Sequence, residues 1–387
     1  MTNPYKKIDW QSVQKVGSAS HMHIANQKTL DNGYKHGIRH FPISNYYPSA
    51  PYDANTKISD FWLRQHWPAR KHDGTMLEPP INWNDIITWQ EDLDEPYRSQ
   101  LPVEESERVF SNIPADAIIS PNAEHHGFSN SRSHICSPGS SFISGNIDPK
   151  ENYHLKRHGY SVGFGGTWQE GFEGMIQSLA YPDGGGITIN HPTWFSQLPD
   201  EHVLEMLDFD ESVLGIEIYN DYSARRNWFE KPNYKAPPEP ETGFSLNLWD
   251  RILSTGRQCW GFCVPDHSVK QGTNWNGRNI LLVPEFTEHN CLKAYRQGQF
   301  YGCLKDNGLT VQNLSATESN VSIELSAPAT IKFITESGIV STVEGVGATY
   351  NIPQEVGKPG IVYIRIEVED NSGERLFLQP IMYRGAV

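Results

Sequence analysis

The chain has 15 histidines, and several stand beside carboxylates at spacings that can build a metal site. In SASHMHI, His21 and His23 alternate. On an extended strand alternate residues share one face, so both imidazoles point the same way. Two neutral imidazoles side by side make half of a cation site, although two exposed histidines on an edge strand read the same. In SPNAEHHGFSNSRSHICSPGSSF, Glu124 follows one strand-like run and His134 begins another. A carboxylate there can bridge two cations while the imidazole caps one. His125 and His126 adjoin Glu124, but a strand lets only one of them share its face, and surface or supporting roles suit the pair better. GGGITINHPTW ends a β-branched strand in His191, and RQCWGFCVPDHSV ends an apolar one in Asp266 and His267. In GIEIYND, Glu217 points opposite to Ile216 and Ile218, while Asn220 and Asp221 suit a helix cap equally well. The chemistry such a set can do is hydrolysis by water activated on a divalent cation. There is no Ser/His/Asp order, P-loop or G-x-G-x-x-G, and the G-F-G-G at residues 163–166 reads as a loop.

These residues need strands that end at a common mouth. GIRHFPIS, GGGITIN, VLGIEIYN and RQCWGFCVP read as buried strands, whereas EHVLEMLDF and NLWDRILSTG carry apolar residues at three- and four-residue spacing, as helices do. The run from GGGITIN to GIEIYN has the βαβ form of a parallel sheet. Repeated up to about residue 305, it favours an α/β barrel with its chemistry at the C-terminal strand ends. Beyond about Asn307 the pattern becomes GLTVQNL, NVSIELS, ATIKFIT, ATYNI, GIVYIRIEVED and ERLFLQPIMYR, separated by turn residues. That predicts a small β-sandwich. The expected organisation is therefore an α/β barrel over residues 1–305 and a β-sandwich over 306–387. Pro-rich stretches at residues 48–100 and 231–242 read as long loops bordering the site. Aromatic residues in and just before the first stretch (Tyr46, Tyr47, Tyr52, Trp62, Trp67 and Trp83) suit covering the site or packing on its mouth.

Composition limits the partners. The 387 residues hold 32 Lys+Arg against 46 Asp+Glu, a formal net charge of −14. That balance argues against long nucleic acids and anionic membranes. It leaves room for a small phosphorylated substrate held by a few cations. No apolar run approaches the ~20 residues that cross a bilayer, and the N-terminal segment has no apolar signal core. Five scattered cysteines, an odd number, suit reduced thiols and a cytoplasmic setting.

Taken in order, these motifs resemble the PHP (polymerase and histidinol phosphatase) superfamily. H-x-H lies near the N-terminus, followed by a Glu with a His about ten residues later. G-G-x-x-x-x-x-H-P, G-I-E-x-x-N and a strand ending in Asp/His then complete an order that spans residues ~18–302. The resemblance implies a distorted seven-stranded (β/α) barrel, two or three divalent metals and hydrolysis of phosphoesters. Carried over residue by residue, His21 and His23 match the first metal motif, Glu124 the bridging carboxylate, and His134 the histidine after it. His191 matches the H-P histidine, and Asp266 with His267 the final pair. Two departures stand out. Where the family has Thr-Asp-His, this chain has Ser44-Asn45-Tyr46, so an imidazole is replaced by an amide or phenol unless His40 takes its place. The family's closing D-x-H is here an adjacent Asp266-His267, so a bulge must bring both inward or only one binds.

The reading is a hydrolase using one to three divalent ions (Zn, Mn or Fe) on a small phosphorylated substrate. Tyr46 is expected to donate a hydrogen bond to substrate or water. Arg132, and less directly Arg225 and Arg226, are candidates to hold phosphate oxygens. Two other readings stay open. One is a non-catalytic protein with a degenerate site; the other is hydrolysis of a non-phosphate bond by the same metals.

Overall fold

Strands buried on both faces read as continuous apolar runs, and the centre of this molecule is made of them. The computed structural model describes residues 1–24, 27–44, 110, 112–125, 128–142, 167–194, 197–225, 243–271, 275–353 and 360–385. The N-terminal strands are β1 (Gln14–Ser18), β2 (Ile38–Pro42) and β3 (Ile118–Ser120). They are followed by β4 (Glu124–His125), β5 (His134–Cys136), β6 (Ile187–Asn190), β7 (Val213–Asn220) and β8 (Trp260–Val264). The second group of five forms one sheet in the order β4-β5-β6-β7-β8. Its last three strands are parallel, and all eight residues of β7 are buried.

The described helices are α1 (Gln27–Lys35), α2 (Trp168–Gln177), α3 (Asp200–Leu207), α4 (Asp221–Arg225), α5 (Leu246–Ser254) and α6 (Glu288–Gln297). Thr167 starts α2 in a capping box with Glu170, two backbone N–H groups each finding an acceptor. Helices α3 and α5 pack on β7, and α2 packs on β6. The apolar faces that made EHVLEMLDF and NLWDRILSTG readable as helices meet the sheet through Val203, Met206, Leu248, Trp249 and Ile252.

Among the described residues no sheet closes, so the expected seven-stranded barrel is not formed by these strands. The reason lies at β1. One edge pairs parallel with β2, but the other is taken along its whole length by β9 (Arg278–Val283), antiparallel, from Gln14 opposite Val283 to Ser18 opposite Asn279. β8 therefore forms no ladder with β1, and past the end of β1 a single bridge joins Met22 to Asp266. Asp266 N there donates to His21 O at 3.1 Å. On the other side, Glu124 N donates to Ser44 O at 3.1 Å. At these two points backbone bonds join the sheets without a ladder.

β9 leads to β10 (Phe300–Leu304), and the same sheet continues into the C-terminal part. That part holds β11 (Val311–Ala316), β12 (Asn320–Thr335), β13 (Gly338–Asn351), β14 (Tyr363–Glu369), β15 (Arg375–Leu378) and β16 (Ile381–Met382). The eleven-stranded sheet has the main order β11-β12-β14-β15-β10-β9-β1-β2-β3, with β13 on β12 and β16 on β14. NVSIELS and ATIKFIT, read as two strands, are one 16-residue strand. Pro328 sits where its pairing with β13 skips from Glu324 to Ala329, a bulge that tolerates a residue without an N–H. All five cysteines are buried and free. Among the described residues, no helix is long and apolar enough to cross a membrane.

Candidate metal centre

The ends of β1, β3, β6, β7 and β8 converge where the two sheets touch. Asn122, just past β3, ties the segment after β1 to the ends of β2 and β5: its Nδ2 donates to Ser20 O and Pro42 O at 2.8 and 3.0 Å, and its Oδ1 accepts Ser137 N at 2.8 Å. His21 and His23, on the extended segment beyond β1, bring their Nε2 atoms to 3.1 Å of each other. Glu124 Oε2 lies 3.4 Å from His21 Nε2 and 3.2 Å from His23 Nε2. Asp266 Oδ1 lies 3.3 Å from both. All four residues are buried. The other oxygen of Glu124 faces elsewhere: Oε1 accepts from His134 Nδ1 at 3.0 Å and lies 3.6 Å from His191 Nε2.

Separations of 3.1–3.4 Å are the edges of a tetrahedral to octahedral shell around a cation about 2.0–2.2 Å from each ligand. Glu124 Oε2 and Asp266 Oδ1 are buried and accept no hydrogen bond, a costly condition for carboxylate oxygens. Three overlapping groups have ligand atoms close enough to share an ion: His21, His23 and Asp266; His21, Glu124 and His191; and His23, Glu124 and His267. The residues fit one or more divalent ions. Cys303, Asp306 and Glu374 also group, but Asp306 accepts from Arg278 and Glu374 from Leu309 N.

The electrostatics agree. Burial opposes a charge on His21, yet Asp266, Glu124 and Glu217 hold its pKa well above the ordinary histidine value. Burial likewise works against an ionised Glu124, but His21, the hydrogen bond from His134 and the nearby His191 imidazole hold its pKa well below the usual range. Asp266 is lowered in the same way, mainly by His21 and His267 against burial. Burial lowers His134, and Glu124 opposes that shift. The pocket draws in positive charge.

The backbone makes the adjacent Asp266 and His267 converge. Asp266 takes φ +52°, a left-handed conformation that aspartate tolerates better than most residues, and a 3-10 turn starts at His267. The carboxylate then faces His21 and His23. The His267 ring stacks on His23 at 3.8 Å, with its Nε2 3.9 Å from Asp266 Oδ1. His191 also has positive φ, +28°, directly after β6.

The supporting residues were only half visible in the sequence. Glu217 Oε1 accepts His21 Nδ1 at 2.7 Å, while Oε2 accepts His191 N at 2.8 Å and Asn220 Nδ2 at 2.9 Å. Because the Glu217 oxygen accepts, it places a His21 proton on Nδ1 and leaves Nε2 for a cation. Asn220 Nδ2 reaches Asp266 Oδ2 at 3.1 Å, and its Oδ1 accepts Ser223 N at 2.9 Å, so it caps α4 and supports the site together. A carboxylate inside a strand buried at every position was the signal for this role.

Other sequence candidates lie apart. His40 sits between Ser18 Oγ and Ser120 Oγ, at 2.9 Å from each, with burial pushing its pKa down to about 3. It is a core histidine, not a substitute ligand. His125 bonds Ser137 Oγ at 3.0 Å and is lowered to about 3 by burial. Arg132 is exposed, two residues before His134, and Arg225 ends α4. Asn45, Tyr46, His126, Arg226, the 163–166 loop, both Pro-rich stretches and the aromatic residues read as bordering the site lie outside the described residues.

No protein-family model and no curated protein matches the chain. A solved structure of a two-domain protein containing a predicted PHP-like metal-dependent phosphoesterase, from Bacteroides vulgatus ATCC 8482, aligns with 97% of this chain and 96% of its own length. The identity is 12% and the TM-score 0.40. At that level the likeness carries no assignment, and the functional reading rests on the geometry above.

Proposed function

We propose that the chain is a divalent-metal-dependent phosphoesterase acting on a small phosphorylated substrate. The observation that carries this reading is Glu124, whose two carboxylate oxygens face two different imidazole sets in a buried pocket. That is how a carboxylate serves two cations at once. His21, His23, Glu124 and Asp266, together with His134 and His191, would hold the ions, and divalent ions bound there would supply the Lewis acidity that lowers the pKa of water towards neutrality and offsets phosphoryl charge.

The chain's own residues do the remaining work. Glu217 orients His21 and the backbone of His191, and Asn220 holds Asp266. The His134 and His267 side chains keep 15% and 18% of their surface open, which gives substrate a side to enter from. We assign Arg132 to a phosphate oxygen, where its planar fork binds two oxygens at once, and Tyr46 to a hydrogen bond with substrate or water. Imidazole and carboxylate donors suit Zn, Mn or Fe. We place the catalytic groups within residues 1–305 and read 306–387 as a β unit of a cytoplasmic protein. The −14 total still disfavours long polyanions; it does not disfavour one phosphate beside two divalent ions.

Elemental analysis of purified protein, paired with hydrolysis of 4-nitrophenyl phosphate before and after exhaustive chelation, tests the proposal. At least one divalent ion per chain is expected, with activity lost on chelation and regained on metal return. Hydrolysis that survives chelation overturns it.

A further inference from the structure

Apart from the metal ligands, a serine, a histidine and a glutamate line up in hydrogen-bonding order. Ser131 Oγ lies 2.8 Å from His202 Nε2, and His202 Nδ1 lies 3.3 Å from Glu205 Oε2. None of the three belongs to the candidate metal groups. Ser131 precedes β5, whereas His202 and Glu205 stand three apart on one face of α3. The serine and the histidine are 71 residues apart, so no local motif in the sequence announces them. Solvent reaches the group: Ser131 is half-buried, and the side chains of His202 and Glu205 keep 19% and 58% of their surface open.

Glu205 sets the direction of the proton. Its oxygen accepts, so the ring proton of neutral His202 belongs on Nδ1 and Nε2 is left as the acceptor. The Ser131 hydroxyl then has two acceptors for its one proton, His202 Nε2 and Ser133 Oγ at 2.9 Å. Of these, the imidazole is the one basic enough to take it. Charge developing on Ser131 Oγ is met by Ser133 N, which already donates to it at 3.1 Å. Neighbours hold both partners. Asn130 accepts Trp168 N and donates to Gln169 Oε1, each at 3.0 Å, pinning the serine's loop to the start of α2. The Trp168 ring meets the His202 imidazole edge-on at 5.9 Å between centroids.

We infer that Ser131 is a nucleophile activated by His202, giving the protein a second activity, hydrolysis of carboxylic esters through an acyl-serine. Ser131 Oγ bonds to the ester carbonyl carbon as its proton passes to His202 Nε2. The bond from that carbon to the alcohol oxygen breaks, and the alcohol leaves with the proton from Nε2. Water then attacks the acyl-serine and gives a proton to Nε2; the carboxylic acid departs and Ser131 Oγ takes the proton back. Because Glu205 is largely open to solvent, its support of the imidazolium is weak. That suits esters, whose leaving alcohols need less help than amines.

The test is labelling of the metal-loaded full chain with a fluorophosphonate probe, the modified residue being located by peptide mass spectrometry. Label is expected on Ser131, and Ser131→Ala should abolish it while keeping its metal content. His202→Gln should slow labelling at least about a hundredfold, and Glu205→Gln by roughly two- to fivefold. Glu205 is exposed, so if His202→Gln does not fold the Glu205→Gln rate decides. No label on Ser131, or a labelling rate that the folded variants leave unchanged, overturns the inference; the phosphoesterase reading stands apart from either result.

Discussion

A carboxylate in the middle of a buried strand needs donors, and Glu217 has three: His21 Nδ1, His191 N and Asn220 Nδ2. Glu217→Gln keeps the shape but puts an N–H₂ where one of those donors points. Either His21 loses its tautomer or the left-handed turn at His191 loses its anchor. Metal affinity should fall about 10–100-fold, as measured by competition with a chromogenic chelator; unchanged affinity would show that Glu217 is only packing. His40 supports a prediction of a different kind. Its pKa is about 3 in the folded chain against an ordinary 6.5, so between those values the unfolded chain takes up a proton that the native one refuses. This contribution is fully present above about pH 6.5 and is lost as the pH falls towards 3, at up to ~1.4 kcal/mol per pH unit. Urea unfolding at pH 7, 6 and 5 should show a shallower decline for His40→Asn than for the wild type. At this scale the sequence was legible wherever one strand decides the geometry. H-x-H shows two imidazoles on one face without reference to any other segment. Glu217 was not legible in the same way, because its partners lie 196 and 26 residues away and only pairing of β6, β7 and the β1 end brings them near.

At the scale of elements, the parallel ladder from β6 to β8 aims His191, Glu217 and Asp266 at one point, and it depends on close approach. Gly215 in β7 faces Trp260 of β8, where an added Cβ would lie 2.0 Å from Trp260 O and 2.5 Å from Trp260 N. Backbone cannot yield as a side-chain tip can, so Gly215→Ala should cost about 1–3 kcal/mol and loosen metal binding with it. Gly345 in β13 is the control, since a Cβ there meets nothing nearer than 3.5 Å. Gly345→Ala should be neutral or slightly stabilising, and equal losses in urea unfolding for the two variants would refute the argument. The strands that carry these residues were readable because GGGITIN, VLGIEIYN and RQCWGFCVP are apolar throughout, and both helices were readable by their spacing. What the periodicity does not encode is which edge a strand takes. RNILLV became β9 and occupied the edge of β1 that a closed barrel reserves for its last strand. Hydrophobic pattern sets the faces of a strand, whereas edge choice follows from turns and from competition among strands far apart in sequence.

At the scale of the whole molecule, the two regimes of the sequence share one core. β10 pairs with β15 from Tyr301 opposite Leu378 to Leu304 opposite Arg375. Val362, Tyr363, Phe377 and Met382 lie in the same apolar cluster as Ile216, Trp249 and Cys263. Polar ties cross as well. The Gln379 amide exchanges two 2.8 Å hydrogen bonds with the backbone of Gly261. Arg365 grips both oxygens of Asp250 at 2.6 and 2.7 Å. Tyr5 OH donates to Phe300 O at 2.8 Å and accepts Gln379 N at 2.7 Å. Each large apolar side chain uncovered by deleting the C-terminal strands forfeits roughly 1.5–3 kcal/mol, against a total stability of about 5–15 kcal/mol for a typical protein. The deletion also leaves the edge of β10 open to other chains. A fragment of residues 1–305 should therefore aggregate or run as soluble oligomers on size exclusion, even with metal supplied. In the full chain, Arg365→Met should lower stability by about 1–3 kcal/mol and leave the metal content as it was. A monomeric 1–305 fragment that binds metal with full-length affinity would show that residues 306–387 are an appendage; the shared core predicts that no such fragment is obtained.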